Sequence, residues 1–271
     1  MKKILLVISD LHVGSTVGLC PRDGLMGDDG VRIQPSRFQQ GLCDAFDNLI
    51  QRTLAIKKVN KRALIVNGDS VDGSHHNTVA LMTNNIDRQE AGAAEILGGI
   101  SKHFDRIYVN RGTEAHVQQS AQSEERVARA INAEKDELGN HSAWQLWLEV
   151  EGLVFNVAHH ISTTSSAAYE SSAVMRELVA AMVEAGQWGQ KVPNVLLRSH
   201  RHRYIELNIP SQHGNIKAAV TPGFQLRTPF VEKIDRLRLP NIGGLIVIVE
   251  DGLCQIIPII YPFKGSAIRT F

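Results

Sequence analysis

The sequence predicts an α/β fold, and three observations predict it. Short runs rich in Val, Ile and Leu alternate with longer stretches of helical periodicity through the first two thirds of the chain. Those runs show little polar alternation, as strands buried on both faces do. After residue 203 the texture changes to strands with no long helices between them, so the chain reads βαβαβ followed by a mainly β third.

The elements follow in order. ILLVIS (4–9) is the first strand. The start MKKILLVISDLH has two lysines and an apolar stretch, as a signal peptide would. Asp10 and His12 end that stretch after six residues, and no small-residue cleavage site follows. We read a buried strand and expect a cytoplasmic protein. Residues 13–35, with Gly14, Gly18, Gly24, Gly27 and Gly30, read as a long loop of the kind that often forms a lid. Ser36 can cap a helix running to about Lys58, with Phe38, Leu42, Phe46, Leu49 and Ile50 on one side. ALIVN (63–67) is the second strand. Asp87 with Glu90 makes a capping-box pattern for a helix to about Lys102. IYV (107–109) is the third strand, Glu124–Ala133 a helix, and LVFNVA (153–158) the fourth strand. Ala167–Ala185 reads as a helix stopped by Gly186. VLL (195–197), YIELNI, IKAAVT, LIVIV and CQIIPIIY are strands, the last two joined by a hairpin turn at Glu250-Asp251-Gly252.

The chain has 271 residues, 43% hydrophobic and 21% charged, which suits a globular protein; we expect a single domain over 1–271. No apolar run approaches the ~20 residues of a membrane helix. Cys20, Cys43 and Cys254 form no CxxC, so neither a disulfide framework nor a zinc knuckle is implied. The net charge of +1 does not announce a nucleic-acid partner. From Val195 onward, however, 10 Lys/Arg stand against 5 Asp/Glu, a bias able to line a phosphate-binding face.

One event recurs at the ends of the strands in the α/β part. After ILLVIS come Asp10 and His12; after ALIVN, Gly68-Asp69; after IYV, the cluster Asn110-Arg111-Gly112-Thr113-Glu114-Ala115-His116; after LVFNVA, His159-His160; after VLLRS, His200-Arg201-His202. Sites in open α/β sheets form at the carboxyl ends of strands, so these groups converge on one cleft. In extended chain, residues two apart point the same way, so Asp10 can aim with His12, and His200 with His202. Oxygen and imidazole ligands without thiolates suit Mn, Fe, Zn or Ni.

The ordered set Asp10-x-His12, Gly68-Asp69-x-x-Asp72, a glycine-led motif at 112–116, His159 and His200-x-His202 resembles the calcineurin-like metallophosphoesterase superfamily. The resemblance covers residues 4 to 203 and extends into the C-terminal strands. It implies a four-layer α/β/β/α sandwich with two central mixed sheets, and phosphoester hydrolysis at a dinuclear centre of two divalent ions, Mn first, with Fe, Zn or Ni as alternatives. Carried over by position, Asp10, His12 and His202 would hold one ion. His200 and the histidine after LVFNVA would hold the other, and Asp69 would bridge. His159 directly follows the strand, as the family ligand does; His160 is the alternative.

The family normally reads Gly-Asn-His-Asp/Glu where this chain has Gly112-Thr113-Glu114-Ala115-His116. A rigid alignment puts Thr113 at the Asn position. Inserting two residues instead makes Glu114 the coordinating oxygen and His116 the group assisting the leaving oxygen. We adopt the insertion here because it keeps both functions. The variant resembles versions found in viral and prophage members. Asp72 is expected to orient its neighbours, or else to cap a helix. Arg111 and Arg201 flank ligands and can bind phosphate oxygens, and His160 joins them as a substrate contact. His75 and His76 sit in a loop near the site. The expected function is metal-dependent hydrolysis of phosphoesters, with a diester, and so nucleic acid, as the favoured substrate. The alternatives are a monoesterase closing the 13–35 loop over a small compound, and a non-catalytic scaffold.

Overall fold

The structure is a computed structural model that describes residues 1–75, 78–117, 122–162, 167–211, 214–234 and 239–263. One sheet has six strands in the order β13 (Leu253–Tyr261), β12 (Ile242–Glu250), β1 (Lys3–Ile8), β4 (Lys61–Asn67), β5 (Arg106–Asn110) and β6 (Ser142–Ala143). β1, β4, β5 and β6 run parallel; β12 and β13 are antiparallel additions. The second sheet has five strands in the order β10 (Ile205–Ser211), β11 (Gly214–Val220), β9 (Val195–Arg198), β8 (Leu153–Ala158) and β7 (Gln145–Val150). It too is mixed, with β8, β9 and β11 parallel.

The side-chain period of two splits each strand between two cores. Leu5 and Val7 of β1 face the second sheet and pack with Phe155, Val157, Val195, Leu197, Leu245 and Val247. Ile4, Leu6 and Ile8 face the other way, onto Leu42, Phe46 and Leu49 of α1 (Arg37–Ala55) and Ala93 and Leu97 of α2 (Ile86–Ser101). The far face of the second sheet, with Leu196, Ala218 and Val220, is covered by Ala173, Val174 and Leu178 of α5 (Glu170–Trp188). The result is the four-layer α/β/β/α sandwich with two central mixed sheets. Burial on both faces is why the strands read as continuous apolar runs.

Several local expectations change. Ser36 caps α1 in a full capping box with Gln39, an arrangement worth about 1 kcal/mol, but the helix ends at Ala55. Phe38 is exposed; Gln39 turns inward in its place and bonds the carbonyls of Ser15 and Gly18. Asn85, not Asp87, caps α2, its side chain accepting the Arg88 N–H. α5 runs through Gly186 and stops at Gly189, which takes the left-handed conformation at φ 67°. The strand β7 was not anticipated. Its turn, with Glu151 and Gly152 both at positive φ, is the same device as Asp251-Gly252 between β12 and β13. Residues 13–35 are not a free loop. Leu19, Cys20 and Leu25 are buried in the core, a short ribbon pairs β2 (Leu25–Met26) with β3 (Arg32–Ile33), and Asp28 binds Thr83 and Asn84. No described helix is long and apolar enough to cross a membrane.

Candidate metal centre

Asp10 and His12 follow β1, Asp69 follows β4, Thr113 follows β5, His159 follows β8, and His200 and His202 follow β9. The first four come from one sheet and the last three from the other. The cluster therefore sits where the carboxyl ends of the two parallel strand sets meet. Two polar strand ends lace the sheets together beneath it. Asn110, paired in register with Asn67, donates to the Asn67 side chain and to the Val157 carbonyl; Asn67 donates to Ala158 O and Ser199 Oγ. The Asn67 carbonyl also accepts His159 Nδ1 at 2.6 Å, which fixes that ring with Nε2 toward the cluster.

Ligand atoms fall into overlapping groups. Asp10, His12 and His202 form one; Asp69, His159 and His200 another; His12, Asp69 and His116 a third that joins them. Asp69 Oδ2 lies 3.0 Å from His159 Nε2, and His202 Nε2 lies 3.1 Å from Asp10 Oδ1. His200 and His202 thus serve different groups rather than one point. Asp10, His12, Asp69, His200 and His202 all have φ between 47° and 71°, so extended-chain alternation does not set their aim: Asp10 and His12 share a group as expected, and His200 and His202 do not.

Close approach dictates the two glycines here. A Cβ on Gly112 would stand 2.1 Å from Asp69 Oδ1, and one on Gly68 would stand 2.4 Å from His159 Nδ1. Freed of side chains, the two loops touch, and the Thr113 N–H donates to Asp69 Oδ1 at 2.6 Å.

The glycine-led motif brings His116 into the cluster, as the two-residue shift adopted from the sequence expects, but not Glu114. The Thr113 hydroxyl lies 3.3 Å from His159 Nε2 and 3.0 Å from His200 Nδ1. Glu114, the first residue of α3 (Glu114–Val117), is exposed and is not brought into the ligand groups. One helical turn carries His116 back inward, so that its ring packs edge-on against His12 with centroids 4.6 Å apart. His116 Nδ1 sits 2.7 Å from the Asp72 carbonyl. Asp72 does not cap a helix; its carboxylate accepts from His12 Nδ1 at 2.9 Å and from Gln225 Nε2 at 3.0 Å. That contact orients the His12 ring with Nε2 facing His202.

The remaining expected contacts lie around the rim. Arg111 donates to Ser142 Oγ, and its guanidinium lies over Trp144 at 5.5 Å. Arg201 donates to the Glu170 carbonyl. His160 is exposed, with its ring 4.9 Å from that of His200. His75 stacks edge-on with His116, centroids 4.3 Å apart; His76 lies outside the described residues. The basic excess after residue 195 is partly spent within the fold, since Arg198, Arg203 and Arg227 pair with Glu177, Glu170 and Glu232. Sequence reasoning weighed Thr113 at the Asn position and set it aside for Glu114, and it gave no site role to Asn67, Gln225 or Glu124. The buried Glu124 of α4 (Gln122–Ala130) accepts the N–H and the hydroxyl of Ser70.

Electrostatics fit a cation site. Burial alone would raise the carboxyls of Asp10 and Asp69, but the facing imidazoles of His202 and His159 hold both below the usual range. Burial alone would lower His159, yet Asp69 and Asp10 hold it up at about 10. Burial, with His12 and His159 as neighbouring imidazoles, pushes His116 and His200 down to about 4. Burial pushes Glu124 up to about 7. Asp10 Oδ1 is buried with no well-aligned hydrogen bond although His202 Nε2 stands 3.1 Å away, and the Nε2 atoms of His12 and His202 face each other at 3.2 Å. Lone pairs crowded in this way, from carboxylates and imidazoles with no thiolate, match the donor set of a borderline divalent ion.

No model of a known protein family matches the chain, and no curated protein does. Among solved structures it is similar to an archaeal phosphodiesterase at 10% identity, covering 96% of this chain and 100% of that one, with a TM-score of 0.44. It is also similar to Vps29 of Entamoeba histolytica solved with zinc, at 9% identity over 95% of this chain and 98% of that one, with a TM-score of 0.39. A third is the NAD nucleotidase of Haemophilus influenzae, at 11% identity over 95% of this chain and 49% of that one, with a TM-score of 0.39.

Proposed function

We propose that the chain is a metal-dependent phosphoester hydrolase of the calcineurin-like type, and that it favours diesters, nucleic-acid strands among them. The backbone is the observation that carries this reading. Among the described residues, nine that are not glycine have positive φ, and five of them offer ligand atoms to one buried cluster. Each such conformation costs of order 1–3 kcal/mol and persists only where the surroundings over-determine it. Gathered at one buried cluster, such strain supports a built ligand site.

Asp10, His12 and His202 would hold one divalent ion, and Asp69, His159 and His200 the other, with Asp69 shared; Mn is the first candidate, with Fe, Zn or Ni as alternatives. Ions held there would supply Lewis acidity, acidifying a water and neutralising charge on the phosphate. Phosphoryl transfer needs little else beyond positioning and charge, which suits a site with no serine or cysteine nucleophile. Asp72 keeps His12 in one tautomer. His116, with Nδ1 committed to the Asp72 carbonyl, presents Nε2 as the group that exchanges a proton with the leaving oxygen. Burial keeps it neutral in the free protein, and an anionic phosphate beside it favours the protonated form.

Thr113 supplies the neutral oxygen in place of the family's Asn. A hydroxyl here leaves the centre one unit more positive than a carboxylate would, which favours an anionic substrate. Glu114→Ala is therefore expected to keep its metal content and its rate within about twofold, as an exposed residue does. Thr113→Val is expected to weaken metal binding by about 10–100-fold. Loss of one metal from Glu114→Ala would restore the two-residue shift.

We favour the diester because the candidate lid is anchored: Leu19, Cys20 and Leu25 are buried in the core, and Asp28 ties its exposed tip to Thr83 and Asn84. Metal analysis of the purified protein, with rates on bis-p-nitrophenyl phosphate and p-nitrophenyl phosphate, tests the reading. We expect about two divalent ions per chain and faster turnover of the diester. A faster monoester reverses the substrate preference, and failure to hydrolyse either ester with metal bound overturns the enzyme.

A further inference from the structure

We propose that Glu124 is a positioning residue for Asp69, setting the direction of the shared carboxylate through the peptide between Asp69 and Ser70. The inference rests on the metal-centre reading above. Glu124 lies in the first turn of α4, fully buried. Its Oε1 accepts the Ser70 N–H at 2.9 Å and its Oε2 accepts the Ser70 hydroxyl at 2.8 Å. The carbonyl of the same peptide, that of Asp69, accepts the His12 N–H at 3.0 Å. One peptide plane is thus gripped at both ends, by the loop after β1 and by a helix more than fifty residues downstream.

That plane needs gripping. Gly68 and Asp69 sit in succession at φ 84° and 53°, and a non-glycine residue does not hold such a conformation by its own preference. Rotation about the Asp69 backbone would swing its carboxylate away from His159 Nε2 and from the Thr113 N–H. Among the described residues no lysine or arginine pairs with Glu124, so the fold buries this acid with Ser70 as its hydrogen-bond partner. Satisfying a lone backbone N–H would not require that. Two acceptors matched to the two donors of Ser70 do.

Calorimetric titration of Mn²⁺ into metal-stripped protein tests this without relying on turnover, with circular dichroism to confirm folding. Glu124→Ala is expected to weaken Mn²⁺ binding by about 10–100-fold, while Glu124→Gln, whose oxygen still accepts the Ser70 N–H and whose amide N–H can donate to the Ser70 hydroxyl oxygen, stays within about threefold of the parent. Leu178→Ala, a truncation under α5, lowers the melting temperature and leaves Mn²⁺ binding unchanged. A folded Glu124→Ala with parental Mn²⁺ binding overturns the proposal, as does an equal loss in Leu178→Ala. Should Glu124→Ala not fold, Ser70→Ala decides: it removes one arm of the grip, so weaker Mn²⁺ binding supports the role and unchanged binding refutes it. A parent protein that takes up no Mn²⁺, Fe²⁺, Zn²⁺ or Ni²⁺ overturns the metal centre itself, which is a different failure.

Discussion

Asp69→Asn is expected to leave a folded protein that hydrolyses phosphoesters on the order of 10³-fold more slowly than the parent. The side chain is buried, and its two oxygens face different partners, Oδ1 the Thr113 N–H and Oδ2 the His159 Nε2. It also belongs to ligand groups on both sides of the cluster. An amide keeps the shape but loses the charge and one acceptor, and several kcal/mol of charge stabilisation go with them; each 1.36 kcal/mol is tenfold in rate. Metal content should fall together with the rate. The ion-free protein offers a separate reading, because there Asp69 and His159 form a buried ion pair. The contribution of Asp69, whose folded pKa is depressed, is present above its unfolded value of about 3.9 and is lost as pH falls through the folded one. The contribution of His159 is present below its unfolded value of 6.5 and is lost as pH rises through about 10. Melting temperatures of metal-stripped parent and variant should therefore differ most between about pH 4 and 6.5 and converge toward pH 10. Equal metal content and turnover in the two proteins would remove Asp69 from the site.

His116→Ala is expected to slow hydrolysis by about 10²–10⁴-fold with metal content unchanged, the range typical of a positioned proton donor. The imidazole stands beside His12 and within reach of Asp69, with Nδ1 tied to the Asp72 carbonyl and Nε2 free to meet a leaving oxygen. A p-nitrophenolate leaving group scarcely needs a proton, so the loss should shrink on p-nitrophenyl esters and grow on esters of simple alcohols. Comparing the parent-to-variant ratio across such a leaving-group series gives the role directly. A variant that loses a metal ion, or whose defect is the same for every leaving group, would make His116 a ligand or a substrate contact instead.

Much of this protein was determined by its sequence alone. Strands buried on both faces must be nearly continuous runs of Val, Ile and Leu, so β1, β4, β8 and β9 are visible as text. Carboxylates and imidazoles suit a divalent ion, so Asp10, His12, Asp69, His159, His200 and His202 stand out as candidates where those runs end. Only the tertiary structure decided how they share the work. Left-handed backbone at five of them breaks the alternation on which a reading of His200-x-His202 as one pair depends. The short helix α3 turns Glu114 to solvent and His116 inward, leaving Thr113 against two imidazoles. β7 alternates exposed and half-buried residues at a sheet edge, so it does not read as an apolar run. Asn67, Gln225 and Glu124 carry no local signal, because their partners come from elements far away in the chain. Residue type is set by chemistry and is written in the sequence, but side-chain direction depends on a few backbone angles and on packing between distant segments, and those exist only once the two sheets have closed.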